Sequence, residues 1–406
     1  MSKKPQAALG FIFVTLLLDV IGFGLIIPVI PDLIMELTGG EVTDASLYGG
    51  MLTFSYAIMQ FACSPILGGL SDQFGRRSVL LVSLFGFGCN YLLSAWAPTI
   101  GWFFLARIVS GVSGASMTTA SAYIADISKP EKRAQNFGLV GVAFGLGFII
   151  GPVIGGFLGE FGTRVPFLAA AGLTFLNWLY GFFILPESLD TEHRRKFELR
   201  RANPMGSLLQ LKKYPIVIGL ITALFFVHFS AHSTQSIWTY YTILKFDWNP
   251  QMIGLSLGFV GMVIAIVQGV LIRKIIPIIG ENKGIFIGLG FYLIGFVLFA
   301  FATEGWMLFV FSIPYALSGL SGPAMQSIMT RQVSQNAQGE LQGAITSVAS
   351  LTAALAPPVM TALFYHFTAD NTPVYFPGAP FLLGALLTVV SIILAYVSLT
   401  RHHFQK

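Results

Sequence analysis

The stretch GGLSDQFGRR at 68–77 decides the fold of this chain, because it sets a carboxylate and two guanidiniums in a short turn between two long apolar segments. Asp72 lies beside the tight turn that Gly75 permits, and Arg76 and Arg77 follow at once. The flanking apolar runs, 47–70 and 78–97, are each long enough to cross a ~30 Å hydrocarbon core at about 1.5 Å per residue. The stretch therefore reads as a charged hairpin joining two membrane-spanning helices. Composition agrees: the chain is 55% hydrophobic and 10% charged, with a mean hydropathy of +0.76, whereas a water-soluble domain carries about 25% charged residues.

Working outward, further apolar runs fall near 8–30, 100–124, 136–159 and 165–185, then near 214–236, 251–272, 284–302, 305–329, 340–365 and 380–400. With the first two they make twelve predicted spans, numbered here in chain order. The expected fold is an all-α membrane protein of two pseudo-symmetric halves, 1–185 and 214–406, joined by a cytoplasmic linker over 186–213, with a substrate site between the halves near mid-membrane. The repeat is degenerate, since only Gly280–Lys283 stands where a second copy of the charged hairpin belongs.

Charge sets the expected orientation. With both termini inside, all but Arg107, Arg164 and Lys245 of the 23 Lys and Arg fall in cytoplasmic segments. The densest cluster is the linker, with Arg194, Arg195, Lys196, Arg200, Arg201, Lys212 and Lys213. The sequence pI of about 9.1 thus reflects topology and not nucleic-acid binding. Span 1, polar at Asp19, is too long for a cleaved signal peptide and is expected to remain. Cys63 and Cys89 sit inside spans 2 and 3 without metal-ligand spacing, and no metal or cofactor is expected.

The second informative stretch is GLGFIIGPVIGG at 145–156. Gly147, Gly151, Gly155 and Gly156 recur near helical spacing and invite close helix packing, while Pro152 removes a backbone donor. Together with GGLSDQFGRR, RIVSGVSGA at 107–115, YIADI at 123–127, FATEGWM at 301–307, TRQV at 330–333 and LQG at 341–343, it resembles the major facilitator superfamily. The order of motifs is most similar to the drug:proton antiporters, and among them to the tetracycline efflux proteins. The resemblance implies the twelve-helix major facilitator fold in a bacterial inner membrane, working as a monomer by alternating access. It further implies a charge relay of Asp72, Arg76, Arg77 and Asp126 that latches a cytoplasmic gate, with Gly68 allowing close approach of helices, and an antiporter motif over Gly147–Gly156 in span 5.

Chemistry is read from what lipid tolerates poorly. Asp19, in TLLLDVIGFGLIIPVIP, lies roughly 16 Å into span 1 by helix rise. Arg107 reaches about the same depth from the other side in span 4. Intramembrane charges usually face the bundle interior and serve a pathway, so Asp19 is the candidate proton carrier and Arg107 its partner. A permanent structural ion pair is the alternative.

For the substrate, the resemblance leads one to expect an acid in span 3, a histidine in span 8 and an acid in span 9, but Asn90, Ile264 and Tyr292 stand there. His228 and His232, spaced i, i+4, share a face of span 7 with Gln235 a turn further, and Gln60, Asn177, Gln268 and Gln326 lie on other spans. Such neutral groups among 37 Phe suit an amphiphilic, drug-like ligand, although helix–helix hydrogen bonding explains each amide as well. The expected function is proton-coupled export of a small amphiphile, with a symporter or uniporter of a small metabolite as the alternative. A membrane enzyme would need a motif, such as HExxH or a P-loop, that the sequence does not contain.

Overall fold

A computed structural model describes residues 4–114, 116–128, 133–189, 194, 214–334 and 338–400. Among these there is no strand, and eleven helices are long and apolar enough to cross a membrane. The twelfth crossing, span 4, is two shorter helices, Ile100–Ser113 and Ser116–Ile127. Most of the linker, including Arg195, Lys196, Arg200, Arg201, Lys212 and Lys213, lies outside the described residues.

Several spans are helical throughout: span 2 (Val42–Phe74), span 3 (Arg76–Ala95), span 5 (Arg133–Gly159), span 6 (Val165–Ile184), span 7 (Pro215–Phe246), span 9 (Glu281–Phe301), span 11 (Gln338–Thr368) and span 12 (Ala379–Thr400). Pro152 and the pair Pro357 and Pro358 sit inside helices that continue through them. Span 1 changes pitch instead. Lys4–Ile26 passes through a 3-10 turn, Ile27–Val29, into Ile30–Thr38, where Pro28 and Pro31 withdraw backbone donors and suit the first turn of a new helix.

Spans 8 and 10 are irregular in the middle. Pro250–Ile266 and Ile272–Ile279 are joined by a π turn, Val267–Leu271. Gly305–Leu317 and Ser321–Gln332 are joined by a 3-10 turn, Ser318–Leu320. The two turns meet: a Cβ on Gly319 would lie 3.5 Å from Gln268 Cγ and 3.7 Å from Val267 Cγ1. Such departures from α geometry often mark functional places in a helix.

The chain divides into two compact units, Met1–Gly40 with Ser55–Asn203 and Trp248–Gly258, and Glu41–Phe54 with Pro204–Asp247 and Phe259–Lys406. In the first, Phe11, Ile12 and Leu16 of span 1 pack with Leu80 of span 3, Tyr123 and Ile124 of span 4 and Ala143 of span 5. In the second, Leu220 and Leu224 of span 7, Leu289 of span 9, Met325 and Met329 of span 10, Leu341 and Val348 of span 11 and Ala395 of span 12 form the core. Elsewhere large apolar side chains point outward, with Ile278 83% and Phe183 77% exposed. Acyl chains cover such surfaces in a bilayer. Hydroxyls within spans mostly turn back on a carbonyl four residues earlier, as Thr53 on Gly49, Ser312 on Leu308 and Thr388 on Gly384, which satisfies them without water.

Candidate functional site

Span 1 is held to span 5 by backbone contact. A Cβ on Gly151 would lie 2.8 Å from Gly24 Cα and 2.8 Å from the Ile21 carbonyl oxygen, while Gly147 meets Val20 and Gly155 meets Leu25. Pro152 and Gly156 back onto the start of span 8 at Pro250–Gly254. Gly147, Gly151, Gly155 and Gly156 are thus occupied by helix packing within the first unit. Asp19 is next in sequence to Val20, at the Gly147 end of that seam.

Around Asp19 the first unit gathers polar groups from five spans. Asn177 of span 6 is fully buried, and its amide nitrogen donates to the Thr15 carbonyl at 3.2 Å and to Asp19 Oδ1 at 3.5 Å. Tyr56 of span 2 and Tyr91 of span 3 both lie within electrostatic reach of Asp19 and of Arg107. The Arg107 guanidinium sits 5.2 Å from the Phe103 ring centroid. Among the described residues its Nε and Nη2 have no hydrogen-bond partner, and neither does the buried Asn90 Oδ1. Gln60 is engaged in holding spans 2 and 4 together, through its amide nitrogen on the Gly114 carbonyl at 3.2 Å.

The hairpin of span 2 and span 3 forms a second cluster. The turn is a single residue, Gly75, with φ 95°; a Cβ there would also run into the Glu187 carboxylate, so only glycine serves. Arg76, with its side chain 11% exposed, pairs with Asp72 at 2.5 Å and with Asp126 at 3.1 Å, and it donates to Ser71 Oγ at 2.5 Å. Ser71 in turn donates to the Gly68 carbonyl at 2.7 Å. Arg77 faces away and donates to the Phe182 carbonyl at 2.6 Å.

Glu187 is a further member of this cluster, an acid that LPESL at 185–189 puts directly after the apolar run of span 6. Its Oε1 accepts the backbone N–H of Arg76 at 2.9 Å and of Arg77 at 3.5 Å, which caps the N-terminus of span 3 from 111 positions away. At the other end of span 3, Arg164 donates to the carbonyls of Ala95 at 2.8 Å and Ala97 at 3.1 Å and pairs with Glu36. Remote opposite charges therefore satisfy both ends of this helix. Ser188 joins the cluster by donating to Asp126 Oδ2 at 3.1 Å.

In the second unit, His228 and His232 are half-buried on span 7, and Gln235 is exposed. Gln268 is exposed on the π turn, and Gln326 is exposed and donates to Gln342 at 3.3 Å. Tyr292 is buried, its ring 4.4 Å from Phe296 and 5.3 Å from Tyr315. The described residues hold no group of three or more His, Cys, Asp or Glu placed to bind a metal ion.

Among the described residues, eleven helices long and apolar enough to cross a membrane with a further apolar helix at Ile100–Ser113, an acid and a base within reach of the same buried tyrosines, and a charged hairpin with a one-residue turn mark a polytopic membrane transporter. The family model of the Major Facilitator Superfamily matches residues 12–357, and the chain belongs to that superfamily. It is 40% identical over 387 residues to the class C tetracycline resistance protein of Escherichia coli, covering 95% of this chain and 96% of that one. It is 34% identical over 354 residues to the class B protein of Escherichia coli, covering 86% of each. Among solved structures, the human organic anion transporter MFSD10 matches with TM-score 0.71 and 23% identity, covering 97% of this chain and all of that one. The xylose transporter XylE from E. coli, in a partially occluded inward-open conformation, matches with TM-score 0.72 and 15% identity, covering 97% and 98%. Those two likenesses concern the fold. The superfamily's members are transporters, not enzymes.

Proposed function

We propose that this chain exports a small amphiphilic, drug-like compound from the bacterial cytoplasm in exchange for protons, by alternating access. Asp19 carries the proton and Arg107 responds to its charge. The observation that carries this is the shared interior of the first unit, where a carboxylate and a guanidinium lie among Tyr56, Tyr91, Asn90 and Asn177 and where two guanidinium nitrogens have no hydrogen-bond partner among the described residues. A buried guanidinium left in that state is costly unless a ligand or a carboxylate engages it. Sequence likeness to tetracycline resistance proteins supports drug export as the direction of transport.

In this reading both termini and the hairpin of Asp72, Arg76 and Arg77 face the cytoplasm, and the protein works as a monomer. Asp72, Arg76 and Asp126 close the cytoplasmic gate, and Gly147, Gly151, Pro152, Gly155 and Gly156 keep the span 1 and span 5 seam tight. The halves 1–185 and 214–406 are two copies of one six-helix repeat. Within the second unit, His228, His232, Gln235, Gln268 and Gln326 are the neutral polar groups offered to substrate; within the first, they are Gln60, Asn90 and Asn177.

The test is proton flux in proteoliposomes of the purified chain, with a panel of amphiphilic cations and neutral drugs added on the side of the termini. Substrate-dependent proton entry opposite to drug movement is the expected result. Co-movement of proton and compound in one direction would replace export by symport.

A further inference from the structure

Spans 3 and 9 begin in the same way. Each follows the preceding helix across one glycine of positive φ, Gly75 with φ 95° and ψ 149° and Gly280 with φ 79° and ψ 159°. The next residue opens the helix and carries a charge, Arg76 in one case and Glu281 in the other. In both cases the opposite charge lies 50 positions further on, at the last residue but one of the helix that ends span 4 or span 10, as Asp126 or Arg331. Arg76 reaches Asp126 at 3.1 Å; Glu281 pairs with Arg331 and accepts from Ser327 Oγ at 2.7 Å. What reads in sequence as the remnant Gly280–Lys283 is the same device with its charges exchanged.

The exchange changes the energetics, because a helix presents partial positive charge at its N-terminus and partial negative charge at its C-terminus. Glu281 at the start of span 9 and Arg331 in the last turn of span 10 agree with both helix ends. Arg76 at the start of span 3 and Asp126 in the last turn of span 4 oppose both. The first unit compensates from outside the pair, with the Glu187 carboxylate laid on the N–H groups of Arg76 and Arg77. Within its own unit, then, the first pair stands against the dipoles of its helices and depends on two further carboxylates, Asp72 and Glu187, whereas the second is favoured by them.

We propose that the Glu281–Arg331 pair is a fixed clamp that stays closed through the transport cycle, while the Arg76–Asp126 pair is the one that opens. This division of labour rests on the gate assigned above to Asp72, Arg76 and Asp126. The polarity exchange gives the second unit a rigid cytoplasmic end and leaves the first as the moving part.

The test places spin labels at equivalent positions of the two devices, Ser78 with Ile127 and Lys283 with Gln332, in full-length protein with Cys63 and Cys89 replaced by Ser, reconstituted in nanodiscs at acidic and alkaline pH. The Ser78–Ile127 distance distribution is expected to change with pH and the Lys283–Gln332 distribution to stay single and constant. Equal changes in both overturn the division of labour and leave the gate intact; constancy of both overturns the gate and the division with it. A second arm exchanges the clamp's polarity in the double variant E281R/R331E. It should lower the apparent melting temperature by about 2–4 °C. Because the Arg331 side chain is exposed and the exchanged charges still face each other, transport should stay within about two-fold of the parent. An unchanged or raised melting temperature, or loss of transport, overturns the proposal.

Discussion

The Asn177 amide nitrogen reaches both the Thr15 carbonyl and Asp19 Oδ1, at 3.2 and 3.5 Å, so that one buried side chain of span 6 fixes the acid of span 1 to its own helix. A carboxylate held in this way keeps one orientation toward the interior that Arg107, Tyr56 and Tyr91 share. Asp19→Asn is expected to abolish accumulation driven by a pH gradient in inverted membrane vesicles, with expression preserved. Asn177→Ala should weaken coupling by a smaller factor. Wild-type coupling in the Asp19→Asn protein would move the proton site to a histidine or to Asp126.

The Arg76 cluster predicts a separation of binding from turnover. Asp72→Asn removes a partner that lies 2.5 Å from the guanidinium but stands at the hairpin, away from Asp19. Turnover should collapse while equilibrium ligand affinity stays within a few-fold. A large loss of affinity with unchanged spin-label distances at the hairpin would count against a gate.

Glu187 should prove structural through the helix it caps. Losing a cap costs about 0.5–2 kcal/mol of stability. Glu187→Gln retains the size of the side chain but gives up the charge at the N–H groups of Arg76 and Arg77. The expected reading is a melting temperature lower by about 2–4 °C in detergent. No shift would mean that the interaction is not maintained in solution.

The seam between spans 1 and 5 makes a paired prediction. Gly151→Leu forces side-chain atoms into Gly24 and the Ile21 carbonyl, and overpacking of this kind costs about 1–3 kcal/mol or more. Gly141→Ala, in the same helix and with nothing within 4 Å of a new Cβ, should be neutral. Equal melting temperatures for the two variants would contradict the packing.

Length and apolarity made the spans legible, because lipid allows a crossing segment little besides a continuous helix. The single-residue turn at Gly75 was legible for a local reason, as glycine between polar residues and a new apolar run. Span 4 was expected as one helix from 100 to 124; it breaks after Ser113, where the Gly114 N–H bonds back to Gly111 at 3.2 Å and Gln60 of span 2 takes the Gly114 carbonyl. That partner lies 54 positions away. Glu187 on span 3 and Arg331 on Glu281 escaped notice for the same reason: each acts through a residue brought near only by the bundle. The residue types were visible in the sequence, but the pairs that they form were not.

Substrate choice gives the last prediction. At the places where the family resemblance leads one to expect an acid, a histidine and an acid, this chain has Asn90, Ile264 and Tyr292. Asn90 is buried, its Oδ1 without a hydrogen-bond partner among the described residues, Ile264 is half-buried, and Tyr292 is packed among Phe296 and Tyr315. A chelated magnesium–tetracycline cation needs carboxylate charge at membrane depth, which an amide, an alkyl group and a phenol do not supply. The chain should therefore export that chelate poorly despite its 40% identity to a tetracycline resistance protein, and move uncharged or weakly basic aromatic amphiphiles better. Expression in a pump-deficient bacterial strain decides between them: strong tetracycline resistance without gain against other amphiphiles would show that the charge argument fails. If resistance to amphiphiles is found, His228→Ala and His232→Ala should change which compounds are exported. A loss of stability with an unchanged substrate range would instead make that face of span 7 a packing surface.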